Sequence, residues 1–529
     1  MLLTFYFLFI LHVASNPYDY GFDAQRLMRR QDSTSRIVVS SLPLAANGSI
    51  PIRPEIRDMR KDRYTWDLFI LGLSMLQYVD QNHPLSWYQI AGIHGVPFRP
   101  WNGVQPVVGA QQSGYCTHSS VLFPTWHRPY LALYEVSVLY IISCDRYAYS
   151  TQQELYKLVN AIAALFPNAA EKTKYQQAAS VFRIPYWDWS IMAPAGGTHL
   201  PESFWSPVIS QYGPNGMQNI RNPLYSYTFH PLNEDDLIWA PLTYWNETKR
   251  APDTGVSKTA PPSRNDQASA ALLSKLPEIQ QRLYILFSKY HDFNSFSNKA
   301  WAASQRSTSL DSIESVHDVI HVYGGSKGHM TYVPLSSFDP LFFLHHAMTD
   351  RLVSMWQVLN PSAWIEPMAA GETTYTALKG TMQSSTTPLT PFYSSSDGKF
   401  WTSDASRTTE IFGYTYTDTN PHHGDKDAVR QTLVKKINAM YGASSPAGIR
   451  AKAKQDKPST ETLPLHWSRK VIAWKRFQPN VKLAAQDPPI ESVVQDEVYN
   501  EWIANVQVNV EALDGRFNVH LFIGSPPSD

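Results

Sequence analysis

Glu314-Ser-Val-His317-Asp318-Val-Ile-His321 carries the spacing on which the reading of this chain turns. Histidines four apart on a helix share one face, with Cβ atoms about 5–6 Å apart, which suits two ligands of one metal ion. Glu314 lies one turn earlier on roughly the same face. His317 is followed by Asp and not Glu, so the His-Glu-x-x-His pattern of zinc proteases is absent. Downstream, Asp339-Pro-Leu-Phe-Phe-Leu-His345-His346-Ala-Met-Thr-Asp350 offers two more imidazoles where another helix is expected to begin. An isolated histidine pair is often a satisfied surface or core feature; with His345 and His346 nearby it becomes a metal candidate.

A second cluster lies upstream. His94 falls in Ile90-Ala-Gly-Ile-His94-Gly-Val-Pro97, followed by Cys116-Thr-His118 and Phe123-Pro-Thr-Trp126-His127-Arg128-Pro129. Each of these histidines alone reads as a loop or core imidazole. Two separate clusters, each able to give three histidines, point to two metals. All-imidazole sites suit copper, zinc, iron or nickel. The lack of an obvious bridging carboxylate argues for copper over a di-iron site, whose ligands are mostly Glu.

The rest of the composition narrows the class. The 529 residues carry 45 Lys+Arg against 45 Asp+Glu, so no electrostatic footprint for nucleic acid or an anionic membrane is present. Aromatic residues make up 13% and charged residues only 17%, as in a large packed globular protein. Cys116 and Cys144 allow at most one disulfide, which excludes a disulfide-stapled scaffold. Residues 1–16, beginning MLLTFYFLFILHVAS, read as a signal peptide with cleavage near Val13-Ala14-Ser15, and hence as export to the secretory lumen or beyond. A cytoplasmic location is the alternative. The sequons at Asn47 and Asn246 are compatible with secretion, and Arg29-Arg30 in the 17–35 segment could mark processing. No other segment is long and apolar enough to span a membrane.

Helical spacing predicts helices over Tyr64–Tyr78, with one buried stripe, Pro129–Ile142, with Pro129 in the first turn, Ala270–Tyr290, Asp311–Val322 and His345–Val358. Long loops rich in Pro, Gly and Ser separate them, notably Gly95–Gly114 and Gln211–Arg264. Composition is steady over 36–420. It changes beyond Asn420, where a short basic helix over Asp427–Tyr441 and an Ala/Ser/Pro/Lys-rich stretch make a linker over 421–462. From 463 to 529 short alternating runs and the Asp514-Gly515 turn predict a small β-rich module.

The stretch His118-x4-Phe123-Pro-x-Trp126-His127-Arg128-x2-Leu131-x3-Glu135 resembles the first copper signature of the type-3 dicopper proteins, and of the fungal tyrosinases among them. Asp339-Pro340-x-Phe342-Phe343-x2-His346-x3-Asp350 resembles the second. Ile184-Pro-Tyr-Trp-Asp-Trp-Ser190 and Ile90–Pro97 are also similar to family segments. The resemblance implies a mainly α fold, a four-helix bundle holding a dicopper centre with long loops, plus the small β-rich C-terminal module. It implies His94, His118 and His127 on one copper and His317, His321 and His346 on the other, with His345 beside the ligands. It implies a thioether between Cys116 and His118, which leaves Cys144 a buried free thiol. Glu314 and Asp318 match a Glu and an Asn that in relatives orient a water proposed to deprotonate the phenol; Asp318 departs from the Asn of many tyrosinases. Val333 falls where plant catechol oxidases carry a bulky Phe over the second copper, and its small side chain favours monophenols. Phe342 matches a ring packed against the ligands.

Arg53 and Tyr414-Thr415-Tyr416 resemble the paired markers of the catalytic domain's ends. The C-terminal module resembles the lid that covers the active site of fungal proenzymes, here stopping soon after Phe522-Ile-Gly524. The chemistry implied is ortho-hydroxylation of a small monophenol and oxidation of the o-diphenol to an o-quinone, with two copper ions and O2 as co-substrate, as in melanin-type pigment formation. A catechol oxidase or o-aminophenol oxidase without monophenolase activity is the alternative, and a haemocyanin-like O2 carrier a more distant one.

Overall fold

The structure, a computed structural model, describes residues 16–22, 36–136, 155–252, 258–304, 311–420 and 425–444, and the backbone of two short paired strands, Val494–Gln495 and Val498–Tyr499. The expected signal peptide, most of the 17–35 segment, Cys144 and nearly all of the expected β-rich module lie outside the described residues. The described part is helix-rich. Its longer helices are α1 (Arg63–Gln77), α2 (Trp87–His94), α3 (Phe123–Val136), α4 (Leu155–Leu165), α5 (Ala169–Ser180), α6 (Asn265–Lys289), α7 (Ile313–Gly325), α8 (Leu341–Leu359) and α9 (Lys426–Tyr441). Strands are few and occur as two-stranded antiparallel pieces: Val208–Gly213 with Gly216–Arg221, Met368–Ala369 with Met382–Gln383, and Pro388–Tyr393 with Phe400–Thr402. The first of these overlaps the start of the stretch expected to be the Gln211–Arg264 loop. None of the described helices is long and apolar enough to cross a membrane.

Side-chain caps set several helix starts. Asp62 accepts the Tyr64 N–H before α1, Ser86 the Gln89 N–H at α2, and Ser312 the Ser315 N–H at α7. α8 begins at Leu341 and not at His345, because Asp339 Oδ1 accepts the Leu341 N–H at 2.9 Å while Arg250 grips the same carboxylate at 2.8 Å. Both His345 and His346 therefore stand in the second turn. α3 likewise begins earlier than expected, at Phe123, so Pro129 lies inside the helix. The turn that starts it is local: Ser120 Oγ accepts the Leu122 N–H and Ser120 O the Phe123 N–H, both at 3.0 Å. α1 also differs from the one-stripe expectation. Asp67 through Gln77 are all buried, because α4, α5 and the Val208–Gly213 strand pack around it.

α7 packs on α6 and α8, α8 on α3, and α9 on α6 and α8. α9 buries Leu433, Ile437 and Tyr441, so this part of the 421–462 stretch is docked on the body. The acidic ends of the two sequence signatures meet in one buried ionic network. Arg53 donates to Glu135 at 2.5 Å, and Arg128 donates to Asp350 at 2.8 Å. Tyr414 and Tyr416 both donate their hydroxyls to Asp350 at 2.7 Å. The Arg53 N–H reaches Thr415 O at 2.9 Å. The segments around residues 53 and 415 are thereby tied directly to α3 and α8, the helices that carry histidines into the centre.

Candidate metal centre

α7 presents His317 and His321 one turn apart, and α8 brings His346 to face them. The three Nε2 atoms converge: His321 to His317 is 2.8 Å, His317 to His346 3.2 Å and His321 to His346 3.3 Å. The opposite nitrogens show that this is not a hydrogen-bonded cluster. His321 Nδ1 meets Met330 O at 2.9 Å, and His317 Nδ1 lies 3.1 Å from Asp318 Oδ1 and 3.3 Å from Glu314 O. A nitrogen facing an oxygen acceptor must carry the proton, so the Nε2 atoms of His317 and His321 are bare lone pairs aimed at each other. In a buried site that arrangement is repulsive unless a cation lies between them. Nitrogens bound to one ion at about 2.0–2.1 Å stand about 3.3–3.5 Å apart, close to the spacing found.

The other triad is assembled from a helix end, a loop and a helix. His94 closes α2, His118 lies on the loop before α3, and His127 stands within α3. His94 Nδ1 donates to Val333 O at 3.0 Å and His127 Nδ1 to Phe123 O at 2.7 Å. The buried Nε2 of His94 has no hydrogen-bond partner among the described residues, the orphaned lone pair expected of a metal ligand. Cys116 Sγ sits among these rings, 3.4 Å from His118 Nδ1, 3.8 Å from His118 Nε2 and 3.3 Å from His127 Nε2. The sulfur therefore faces the edge of the His118 ring that holds Cε1, the carbon between the two nitrogens. Burial, with Glu314 and Glu372 adding to it, pushes the thiol well above its usual pKa.

The two triads abut. The rings of His127 and His346 stack at 4.3 Å, and those of His118 and His317 are 6.1 Å apart. Burial drives His94, His118, His321, His345 and His346 well below the usual imidazole range, and His127 to about 3, so these rings are neutral donors. Imidazoles in two facing sets of three suit a copper pair.

The other expected residues all lie at or beside the centre. His345 is fully buried with neither ring nitrogen bonded among the described residues; its ring stacks on His317 at 4.8 Å, so it packs under the triad. Phe342 lies 4.1 Å from the His346 ring and 4.8 Å from that of His94, bridging the triads. Val333 is 40% exposed, and its carbonyl holds His94, on the first triad. Glu314 is fully buried; its oxygens accept the Ser119 N–H at 2.7 Å and the Lys299 N–H at 3.1 Å. Burial, assisted by Asp318, raises its pKa to about 7 against the pull of Lys299 and these two N–H groups. For Asp318, whose side chain is 34% exposed, burial is outweighed by the bond to His317 and the charge of Lys299, and its pKa falls well below the carboxylate range.

Several contributors were invisible in the sequence. Met330 O and Val333 O, three residues apart, fix one histidine of each triad. Gly95 makes this possible: a Cβ there would stand 2.3 Å from Pro334. Backbone carbonyls carry no residue signature, although the glycine after His94 was a signal of close approach.

The family profile described as the common central domain of tyrosinase matches residues 84–359. A tyrosinase of Podospora anserina is 33% identical over 93% of this chain and 86% of its own length. The structure of mushroom tyrosinase in latent and active forms superposes with a TM-score of 0.65 at 30% identity, covering 77% of this chain and 99% of that one. A copper-bound active tyrosinase variant of Aspergillus oryzae complexed with L-tyrosine shares the fold, with a TM-score of 0.62 at 22% identity over 77% of this chain and 99% of its own.

Proposed function

Since the chain belongs to the tyrosinase family, the copper phenol oxidases with a type-3 dicopper centre, we propose that it ortho-hydroxylates small monophenols and oxidises o-diphenols to o-quinones with O2. The observation that carries this reading is a pair of abutting imidazole triads, in the second of which the Nε2 atoms of His317, His321 and His346 converge. His94, His118 and His127 would hold one copper, and His317, His321 and His346 the other. When bound, the copper pair supplies the binding and activation of O2 on which both oxidations depend.

The protein's own residues supply geometry and a dry aromatic wall. Backbone carbonyls fix the ring tautomers at His94, His127 and His321, so those ligands need no rearrangement to bind metal. Phe342 and Phe123 exclude water beside the rings, and the small exposed side chain of Val333 leaves space for a phenol. The phenol proton has two carboxylates within the centre, Glu314 and the more exposed Asp318. The position of Cys116 Sγ supports a thioether to His118, detectable as a peptide mass lighter by two hydrogens. The C-terminal module is proposed as a cover over the site, removable by proteolysis between Gly442 and Pro458, and the protein as one that enters the secretory pathway.

Oxygen uptake on L-tyrosine or tyramine, compared with uptake on a catechol, tests the reading. Consumption on both substrates is expected. Uptake on the diphenol alone sinks the monophenolase reading in favour of a catechol oxidase. Reversible oxygenation without quinone formation would mark an O2 carrier.

A further inference from the structure

Among the described residues, His118 is the one member of the first triad whose ring has no backbone carbonyl to orient it; its nitrogens face Cys116 Sγ instead. It also lies on a loop, outside any helix. Its aim must therefore come from its main chain, and the next residue shows how. Ser119 adopts φ +50°, a left-handed conformation that a non-glycine residue holds only against a steric cost. Three of its polar groups are held by other segments. Its N–H donates to Glu314 Oε1 on α7 at 2.7 Å, its hydroxyl to Glu372 Oε1 at 2.6 Å, and its carbonyl accepts the Gly371 N–H at 2.8 Å. The fit against Gly371 is close enough that a Cβ there would stand 2.8 Å from both Ser119 Cβ and Ser119 O.

We propose that Ser119 is the positioning joint of the first copper site, locked by Glu314, Glu372 and Gly371 in the conformation that aims His118 at the metal. The inference rests on the dicopper reading above. It gives Glu314 a second identity: its two oxygens are engaged by the main chains of Ser119 and Lys299, which makes it a strut between the His317 helix and the His118 loop.

The test uses the full-length holoenzyme, with copper titrated from a chelating buffer into wild type, Glu314→Gln, Ser119→Gly and Ser119→Val. Copper per chain, the electron paramagnetic resonance signal of isolated Cu(II), and turnover on a monophenol and a diphenol are followed together. Glu314→Gln and Ser119→Val are expected to weaken one of the two copper equivalents by about ten- to a hundred-fold, leaving the other unchanged. An isolated Cu(II) signal should appear at partial loading, and both activities should fall together. Ser119→Gly should bind that copper at least about ten-fold more tightly than Ser119→Val, because glycine takes the left-handed conformation freely and keeps the N–H and carbonyl. The serine pair keeps the proposal testable if Glu314→Gln does not fold. Full copper loading of Glu314→Gln with loss of monophenol turnover alone would overturn the strut, and equal copper affinity in the two Ser119 variants would overturn the joint. A wild-type chain that binds no copper pair would overturn the dicopper reading itself.

Discussion

Replacing Asp350 by Asn probes the network that ties the segments around Arg53 and Tyr416 to the copper helices. The carboxylate is buried. It accepts from Arg128 Nε at 2.8 Å and from the hydroxyls of Tyr414 and Tyr416 at 2.7 Å, and Arg53 Nη1 stands 3.6 Å away. Asn preserves the shape and removes the charge. Arg53 retains Glu135, but Arg128 is left with only neutral partners: Ser354, Gln357 and the carbonyls of Ser406 and Arg407. Removing one partner of a buried ion pair costs about 3–5 kcal/mol. Unfolding entropy of about 2.1 cal/mol/K per residue, over the roughly 385 residues from 36 to 420, gives a fall in Tm of about 4–6 °C.

Calorimetry on the copper-free protein reads this fall without interference from metal binding. The pH dependence supplies a second arm. Burial raises the Asp350 pKa, but Arg128 and Arg53 outweigh it and hold the carboxyl below its usual range. A depressed folded-state pKa gives stability that is present above the unfolded value of about 3.9 and is lost as pH falls through the folded value. The gap between wild type and Asp350→Asn should therefore be constant near neutrality and shrink below about pH 4. A variant within about 1 kcal/mol of wild type, or a gap that persists at low pH, refutes the reasoning.

Three further outcomes follow from the geometry. Gly95→Ala places a Cβ 2.3 Å from Pro334 and must part the His94 segment from Val333; it should cost about 1–3 kcal/mol by overpacking and lower copper content at one site, read by metal analysis. Phe342→Ala empties a buried position against His346 and His94 and should cost about 3–5 kcal/mol, read by chemical denaturation. Val333→Phe puts a bulky ring where an exposed small side chain stands, and should lower kcat/KM for a monophenol more than for a catechol; equal losses would count against Val333 as the residue that leaves space for a phenol.

How much of this was legible in the sequence depended on the kind of information each feature carries. The histidines were legible because ligation demands a residue type, and the spacings of His317/His321 and of the two signatures put those types on helix faces. Arg53, Glu135, Asp350 and Tyr416 were visible as motif positions, though not as one network, because their contacts join segments up to 363 residues apart. The grips of Met330 O, Val333 O and Phe123 O on the imidazoles were not legible, since every residue has a carbonyl. Ser119 gave no sign of its left-handed backbone, because glycine is the residue that announces that conformation. The starts of α3 and α8 were misplaced for a local reason: the Ser120 turn and the Asp339–Leu341 turn compete with proline and histidine as boundary signals. α1 was read as one-sided, yet α4, α5 and a hairpin surround it, a tertiary fact that periodicity within the helix does not encode.

The central claim is that two three-histidine sites each hold one copper. Copper per chain, measured by mass spectrometry on purified wild type, His94→Ala and His321→Ala, tests it most directly. Two coppers in wild type and one in each variant are predicted, with phenol oxidation abolished in both variants. Two coppers retained in either variant, or none in wild type, would contradict the account.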